Sequence, residues 1–297
     1  MQELPCAICG DSVAYKIKYR QHLNDDEVDF AARKTPRHVH FRIVECTRCG
    51  LIYSSPIYSE GKIIQLYRES RFIEEVQLHN MLRDYLEHFQ SALKLLDRAE
   101  RMLEIGCSSG FFLNAAKKHG IPIVMGVEPG IDALGKASPE IRPCIVNDVF
   151  HKGLFEEEYF DIVCVFQVMD HIVDPNVFLQ NIYRVLRRGG ILLTINHNVR
   201  SWLPKVLGRY CPMYDIEHIY LFDLSTMRKI LEKHQFETVV IRNITSSYGL
   251  LYALKMFPMV SSFKDVLKRL VELKQFQSFR IRLHAGNMLS IARKGHV

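Results

Sequence analysis

The chain has 297 residues, of which 48% are hydrophobic and 24% are charged, so its composition is that of a folded globular protein and excludes a disordered one. Its longest apolar stretch, Tyr248 to Val260, is shorter than the ~20 residues that a membrane-spanning helix needs. Residues 264–297 carry an excess of basic residues equal to the whole net charge of +6. A basic segment of this kind can face nucleic acid, anionic lipid or a phosphorylated substrate, or it can be a solvated helix face.

The N-terminal sequence and the cysteine content indicate the compartment. Residues 1–10 have neither the basic start nor the apolar run of a signal peptide, so we expect a cytoplasmic protein. In a reducing compartment, we expect the eight cysteines to be thiols or metal ligands rather than disulfides.

Two Cys-x-x-Cys-Gly sequences begin at Cys6 and Cys46. The two-residue spacer lets both thiolates of a pair turn toward one ion, and four thiolates suit a closed tetrahedral zinc site. Because such a site has no open position for a substrate, we predict a structural zinc in a ribbon domain of residues 1–58. The predicted ligands are Cys6, Cys9, Cys46 and Cys49.

Residues 59–99 place apolar side chains at helical spacing, for example Leu78, Leu82, Leu86 and Phe89. This pattern predicts a helical connector between the ribbon and the domain that follows. Such a connector can also cover the pocket of that domain as a lid.

The stretch Met102 to Leu113 reads as a buried strand, a tight loop of small residues and the first turns of a helix. This is the arrangement by which an α/β sheet holds a cofactor at its strand ends. Counted from Gly106, a dinucleotide fingerprint needs glycine at the third and sixth positions, which here are Ser108 and Phe111. No Gly-Lys-Ser/Thr follows, which excludes a Walker-type phosphate loop.

This stretch resembles motif I of the class I S-adenosylmethionine (SAM) methyltransferases, acidic-x-Gly-x-Gly-x-Gly. Glu104, Gly106 and Gly110 match the motif, and Ser108 stands in place of the middle glycine. Serine is small enough for the loop to pass beside the amino-acid end of SAM. The resemblance implies SAM as cofactor and a doubly wound, seven-stranded Rossmann-like α/β sheet over residues 100–297.

Acidic residues after the next two strands extend the predicted cofactor site. Glu128 follows the apolar run Ile121 to Val127, and a carboxylate at the end of the second strand of a doubly wound sheet can accept both ribose hydroxyls. In the resembled family an aspartate after strand three reaches the adenine amino group, and Asp148 matches that position. The predicted cofactor-binding residues are Glu104, Gly106, Cys107, Ser108, Gly110, Phe111, Glu128, Pro129, Asn147, Asp148 and Gln167.

Phe160 to Phe166 is a continuous apolar run, which indicates a central strand of a parallel sheet. The sequence Asp170-His171-Ile-Val-Asp174-Pro175 that follows is similar to the Glu-His-x-x-Asp-Pro signature of the same family, with aspartate in place of glutamate. We expect Asp174 to cap the next helix and Pro175 to be its first residue.

Residues 197–222 form an insert at the place where this family builds its substrate pocket. The sequence Glu217-His218-x-x-x-Phe222 matches the family pattern. In the zinc-ribbon-bearing sugar C-methyltransferases, a Glu-His pair at this place serves proton transfer. The resemblance therefore implies His218 as a base oriented by Glu217, with His171 as the second candidate. The near-neutral pKa of histidine suits this role.

The leading hypothesis is a methyltransferase that acts on oxygen or carbon of a small molecule such as a sugar, a sugar nucleotide or a related metabolite. One alternative is an RNA methyltransferase that grips its strand with the ribbon and the basic tail. The sequence Gln-Val-Met-Asp-His from Gln167 differs from the Asn/Asp-Pro-Pro-aromatic box typical of base amino-group methylation, which argues against nucleic acid. Two further alternatives are a lipid-linked acceptor, with the apolar and basic segment 248–285 on a membrane surface, and a non-catalytic SAM-fold scaffold.

Overall fold

The computed structural model of the chain describes residues 1–23, 30–32, 38–72, 76–249 and 280–295. The strands are β1 (Tyr15–Tyr19), β2 (Ala31–Ala32), β3 (Ile43–Cys46), β4 (Ile52–Ser54), β5 (Arg71–Phe72), β6 (Arg101–Ile105), β7 (Ile123–Val127), β8 (Ile145–Val146), β9 (Phe160–Phe166), β10 (Leu186–His197), β11 (Tyr220–Leu221), β12 (Phe236–Gly249) and β13 (Arg280–Lys294). The α-helices are α1 (Glu60–Arg68), α2 (Val76–Leu93), α3 (Phe111–Lys118), α4 (Ile131–Gly135), α5 (Pro175–Val185), α6 (Trp202–Leu207) and α7 (Leu224–Lys233).

Seven strands form one sheet in the order β12-β13-β10-β9-β6-β7-β8. The strands from β10 to β8 are parallel, whereas β13 runs antiparallel to both β10 and β12. The chain winds outward from β6 through β7 to β8 and then crosses back to β9 on the other side of β6. The carboxyl ends of β6 and β9 therefore flank the switch point where doubly wound sheets bind ligands. The predicted doubly wound, seven-stranded sheet is confirmed.

The centre of this sheet is packed from both faces. All seven residues of β9 are buried, as its unbroken apolar run predicts. Helix α5 begins as expected, because the carboxylate of Asp174 accepts the amides of Asn176 and Val177 at 3.0 and 3.1 Å. Helix α3 buries Phe112 and Leu113 against the sheet. The loops at the strand ends are thus carried on a rigid base.

The N-terminal strands β1, β3 and β4 form an antiparallel sheet whose fourth strand is β11, which belongs to the insert. In β11, Tyr220 pairs with Tyr53, and Leu221 pairs with Ile52. The ribbon is therefore joined to the α/β domain by strand pairing as well as by the connector.

The four cysteines predicted as zinc ligands lie together. Their Sγ atoms are all within 4.8 Å of one another. The amides of Gly10 and Gly50 donate to the carbonyls of Cys6 and Cys46 at 2.8 and 3.0 Å, which closes each knuckle. Main-chain amides also approach the sulfurs, for example that of Cys9, 3.5 Å from Cys6 Sγ. This arrangement is that of a small zinc ribbon.

The connector predicted over residues 59–99 contains α1 and α2, with the short strand β5 between them. Helix α2 is fixed to the sheet by aromatic contacts, since the ring centroids of Tyr85 and Phe166 are 4.3 Å apart. Asp84 of the same helix accepts the amide and the hydroxyl of Ser247 in β12, at 2.6 and 2.9 Å. The connector is therefore part of the folded core of the domain.

Part of the predicted basic segment 248–285 lies outside the described residues, namely residues 250–279. Its two ends continue strands β12 and β13. Within the described ranges, no helix has the length and apolarity to cross a membrane.

Gly126 in β7 lets helix α3 and the loop before it approach the sheet, because a Cβ there would lie 2.5 Å from Cys107 Sγ and 2.7 Å from Leu113 Cδ1. We expect Gly126→Ala to lower the free energy of unfolding by about 1–3 kcal/mol through overpacking, as measured by urea denaturation. The control is Gly135→Ala, where the new methyl group meets no heavy atom within 4 Å. Equal effects of the two substitutions would contradict this account of the packing.

Candidate active site

A cavity of about 1160 Å³ opens at the carboxyl ends of β6, β7, β9 and β10. Seven of the predicted cofactor residues line it: Glu104, Gly106, Ser108, Phe111, Glu128, Pro129 and Gln167. The three predicted catalytic residues, His171, Glu217 and His218, line it too. Parallel strands end at one edge of a sheet, which is why segments distant in sequence meet here. The structure therefore brings all three predicted catalytic residues and seven of the eleven predicted cofactor residues to one cavity.

Three residues with a left-handed backbone conformation shape the loop after β6. Gly106 has a φ of 75°, and a Cβ there would lie 2.4 Å from Val168 Cγ2. Gly110 has a φ of 70°, and a Cβ there would lie 2.5 Å from Ile141 Cγ2. Ser108, at the middle glycine of the motif, is also left-handed, with a φ of 53°. The serine therefore keeps the backbone path that glycine gives, at a strain of about 1–2 kcal/mol.

Glu128 follows β7 and turns its carboxylate toward the loop after β6. Its Oε2 accepts the amide of Ser108 at 2.8 Å, and its Oε1 accepts the amide of Gly130 at 2.7 Å. Burial raises the pKa of this carboxyl group, and the two amides oppose that rise. Each carboxylate oxygen has a second lone pair, so Glu128 can accept two more hydrogen bonds, as a ribose diol requires.

Two other oxygens at the cavity have no hydrogen-bond partner among the described residues. They are Oε2 of Glu104 and Oε1 of Gln167. Burial, and next the charge of Glu128, raise the pKa of Glu104 well above its ordinary value. Gln167 has a left-handed φ of 56°, a conformation that costs energy and aims its side chain away from the regular strand direction. A ligand with cationic or donor groups would complement both oxygens.

The other four predicted cofactor residues do not line the cavity. These are Cys107, Gly110, Asn147 and Asp148. The Nδ2 of Asn147 donates to the carbonyl of Glu128 at 2.8 Å and so fixes the turn after β7. The carboxylate of Asp148 accepts the amide of Val149 at 2.8 Å and pairs with Arg68 of α1 at 3.3 Å. Because Val149 lines the cavity, Asp148 stands directly beside it.

Three histidines from different segments meet at the cavity. The ring centroid of His218 is 4.8 Å from that of His171 and 5.0 Å from that of His197. The buried Asp170 places Oδ2 2.7 Å from Nδ1 of His197, while its Oδ1 accepts Nδ2 of Asn196 at 3.0 Å. Burial raises the pKa of Asp170, but the hydrogen bond and charge of His197 outweigh burial and leave this pKa below its ordinary value. The aspartate is thus held as an anion beside an imidazole.

The protonation of His218 follows from its contacts. Its Nδ1 lies 2.9 Å from the carbonyl oxygen of Met213, which can only accept, so Nδ1 carries the hydrogen and Nε2 has the lone pair. Burial, and next the neighbouring His171 and His197, lower the pKa of His218 well below its ordinary value. A neutral imidazole with its lone pair on Nε2 can accept a proton.

His171 and Glu217 connect the cluster to the connector. The Nδ1 of His171 lies 2.8 Å from the hydroxyl of Tyr67 and 3.0 Å from the carbonyl of Glu217, and burial lowers the pKa of His171. The hydroxyl of Tyr67 also donates to the carbonyl of Glu217 at 3.3 Å. Glu217 therefore contributes its main chain to the cluster, and the carbonyl that orients the ring of His218 is that of Met213.

Two members of the cluster, His197 and Asp170, are absent from the predicted site residues, although Asp170 is part of the family signature found in the sequence. His197 is the last residue of β10, and Asp170 follows β9, so both lie at the edge where a doubly wound sheet builds its site. A titratable residue at the end of a buried strand is the signal that could have found His197. The ligand atoms of Asp170, His197 and His218 lie within 4.8 Å of one another, so this group has the composition of a cation site. The hydrogen bond between Asp170 and His197 produces the same proximity without a cation.

Comparison with known proteins identifies the family of this domain. A family model described as a methyltransferase domain matches residues 77–241, which is more than half of the chain. The chain belongs to the methyltransferase domain family. The match begins in α2 and ends in β12, so it includes the loop after β6, Glu128 and all three histidines.

Curated relatives match this methyltransferase domain over part of their length. A ubiquinone biosynthesis O-methyltransferase of a Bradyrhizobium species is 30% identical over 114 residues, which cover 36% of this chain and 45% of that protein. The ubiquinone biosynthesis O-methyltransferase of Azorhizobium caulinodans is 28% identical over 159 residues, which cover 50% of this chain and 60% of that protein. The chain thus spans about half the length of the curated relatives it matches.

Solved structures show the same fold. A protein of Bacillus halodurans assigned as a methyltransferase superposes with a TM-score of 0.52 at 22% identity, covering 72% of this chain and 99% of that one. A SAM-dependent methyltransferase of Archaeoglobus fulgidus superposes with a TM-score of 0.50 at 21% identity, covering 74% of this chain and 95% of that one. The predicted Rossmann-like methyltransferase fold is therefore confirmed.

We expect the imidazole of His218 to stay neutral in the folded protein to a pH well below about 6.5, because burial and two neighbouring imidazoles disfavour its charge. NMR titration of the histidine ring carbons measures this, and His218→Gln identifies the signal. The unfolded chain takes up this proton first, so the free energy of unfolding should fall as the pH is lowered below about 6.5. A folded-state midpoint at or above about 6.5 would contradict the prediction.

Proposed function

We propose that this protein is a SAM-dependent methyltransferase that transfers a methyl group to a hydroxyl oxygen of a small molecule. The observation that carries the proposal is the position of His218, a neutral base, in the same cavity as the cofactor-type loop and Glu128. A site for hydroxyl methylation needs these two parts beside each other, since the acceptor loses a proton as it gains the methyl group.

The residues around the cavity fit SAM. Glu128 would accept the ribose hydroxyls, the loop after β6 would pass beside the amino-acid end, and Asp148 would face the adenine. The unpartnered oxygens of Glu104 and Gln167 fit a cationic, donor-rich ligand. SAM supplies an activated methyl group on a sulfonium. What the protein must add is alignment, exclusion of water and a base.

In the proposed mechanism, Nε2 of His218 takes the proton of the acceptor hydroxyl. The Met213 carbonyl holds the tautomer that leaves this lone pair on Nε2. When His218 becomes cationic, the buried anion Asp170, reached through the neighbouring imidazole of His197, stabilises the charge. Glu217, predicted to orient His218, acts through its carbonyl, which fixes His171.

Two arguments favour oxygen over carbon as the acceptor atom. A neutral histidine suits the removal of a hydroxyl proton near neutral pH. The relatives in the sequence comparison are O-methyltransferases by name. The resemblance to ribbon-bearing sugar methyltransferases supports a sugar-linked acceptor, and the names of the relatives support an acceptor of the kind used in ubiquinone biosynthesis. A screen for S-adenosylhomocysteine release with both classes of compound identifies the acceptor.

We further propose that the four clustered cysteines of the ribbon hold one structural zinc. Their Sγ atoms approach one another as the ligands of a closed site do, and four thiolates leave no position for a substrate. The metal would then stabilise the ribbon and take no part in methyl transfer.

We expect Glu128→Ala to raise the Kd for SAM at least about tenfold, because the hydrogen bonds to the ribose are lost. Gly106→Ala should abolish SAM binding, because its new Cβ would lie 2.4 Å from Val168 Cγ2. Ser108→Gly is the control and should keep the wild-type Kd, since its left-handed backbone suits glycine. Isothermal titration without acceptor measures all three. A wild-type protein that binds neither SAM nor S-adenosylhomocysteine would support a scaffold instead.

We expect His218→Ala to lower kcat about 10²- to 10⁴-fold while the Kd for SAM stays within about twofold, because only the base is lost. His197→Asn should lower kcat by a smaller factor, since it weakens the stabilisation of the His218 cation. His119→Ala, which removes an exposed imidazole at the end of α3, is the matched control. Full turnover of His218→Ala on the true acceptor would remove the proposed base.

A further inference from the structure

The second cysteine knuckle is also the turn of a β-hairpin. Strand β3 ends at Cys46, β4 begins at Ile52, and the knuckle lies between them. The amide of Cys46 donates to the carbonyl of Leu51 at 2.8 Å, and Val44 pairs with Tyr53 farther along the hairpin. An ion held by this knuckle therefore fixes where β4 runs.

Strand β4 in turn holds the segment that carries the proposed base. The hydroxyl of Ser54 donates to the carbonyl of His218 at 3.1 Å, and the amide of Ser54 donates to the carbonyl of Ile219 at 2.8 Å. On its other side, the amide of Ile219 donates to the carbonyl of Asp170 at 2.6 Å. The peptide that follows His218 is thus clamped between the ribbon and the loop after β9.

The rest of the ribbon is fastened to the same part of the domain. The hydroxyl of Tyr220 donates to the carbonyl of Pro5 at 3.0 Å. Arg200 of the insert reaches Glu45 at 2.9 Å and Asp223, at the start of α7, at 2.8 Å. These contacts tie the hairpin, the insert and α7 into one unit that ends at the cavity.

We propose that the metal-held hairpin of the ribbon is the positioning element for His218, and that Ser54 is the positioning residue through which it acts. The inference rests on the proposed function for its effect on catalysis. It assigns the ribbon to the acceptor half of the site, by which we mean the part of the cavity around His218. The cofactor half, made of the loop after β6, Glu128 and Gln167, has no part in the contacts of β4 described above. Loss of the metal should therefore impair methyl transfer and leave SAM binding intact.

The first test is Ser54→Ala, which removes the hydroxyl bonded to the carbonyl of His218 and leaves the cysteines unchanged. We expect kcat to fall about tenfold, with the Kd for SAM and the zinc content unchanged. Ser91→Ala is the matched control, because it removes a serine hydroxyl bond to a main-chain carbonyl, that of Glu87 at 3.0 Å, on the exposed face of α2 and away from the ribbon. Ser54→Cys, which keeps a small polar group, should recover part of kcat. Equal kcat values for Ser54→Ala and Ser91→Ala would overturn the inference.

The second test needs no acceptor. Amide hydrogen exchange is followed by mass spectrometry before and after the metal is removed with a chelator, and metal release is measured in the same samples. We expect exchange to become faster in peptides covering residues 211–222 and to stay unchanged in those covering β6 and β9. The Kd for SAM should stay within about twofold.

The results of these two tests distinguish a failure of the coupling between ribbon and His218 from a failure of the proposed methyl transfer. Unchanged exchange over residues 211–222 after metal release would overturn the coupling, whatever the enzyme does. If removal of the metal abolished SAM binding and also made amide exchange in β6 faster, the inference would be overturned too, because the ribbon would then stabilise the whole fold. A wild-type protein that transfers no methyl group, but shows the expected local exchange, would overturn the proposed function and leave the mechanical coupling standing.

Discussion

The buried Asp170 joins three segments of the site, namely the loop after β9, the end of β10 and the insert. Its side chain binds Asn196 and His197 at the end of β10, and its carbonyl accepts the amide of Ile219 from the insert. A buried carboxylate is costly unless it is paired, so these contacts are obligatory for the folded state. The anion also opposes the effect of burial on the histidines, because a positive charge formed on His171 or His218 lies close to a fixed negative one. Burial still outweighs it, and the pKa values of both imidazoles stay below their ordinary value.

The two halves of the cavity are positioned by different means. The cofactor half is built on the parallel sheet, where two left-handed glycines and the fully buried β9 leave the backbone little freedom. The acceptor half depends on the insert, whose regular structure is the short α6, the 3₁₀ turn Gly208–Tyr210 and the two-residue β11. Its buried side chains pack against Ile43 and Ile52 of the ribbon. The ribbon also adds β4 to β11. When the cofactor half is fixed by the sheet and the acceptor half by a separate insert, related proteins can bind the same cofactor and differ in their acceptor pocket.

Much of the fold and the cofactor half could be predicted from sequence, because their signals are local. Gly106, Gly110 and Glu128 come just after buried strands that are recognisable from their apolar runs. Their predicted roles in cofactor binding follow from this position at the carboxyl ends of the strands. His197 and Ser54 could not be predicted in this way. His197 ends a strand without a motif, and its partner Asp170 is known only once β9 and β10 are seen to be neighbours. Ser54 acts through the pairing of β4 with β11, which involves only two residues of each strand and is too short to produce a periodic pattern in the sequence.

The pairing of β4 with β11 also has a consequence for synthesis of the chain. Ser54 and His218 are 164 residues apart, so a ribosome completes the ribbon long before it makes the strand that covers β4. During that interval β4 presents an unpaired edge, which is a site for association with other chains. The proposed zinc would bind to the cysteine knuckles at this stage and keep the nascent hairpin in shape. Docking of β11 then closes this edge and fixes the segment that carries His218.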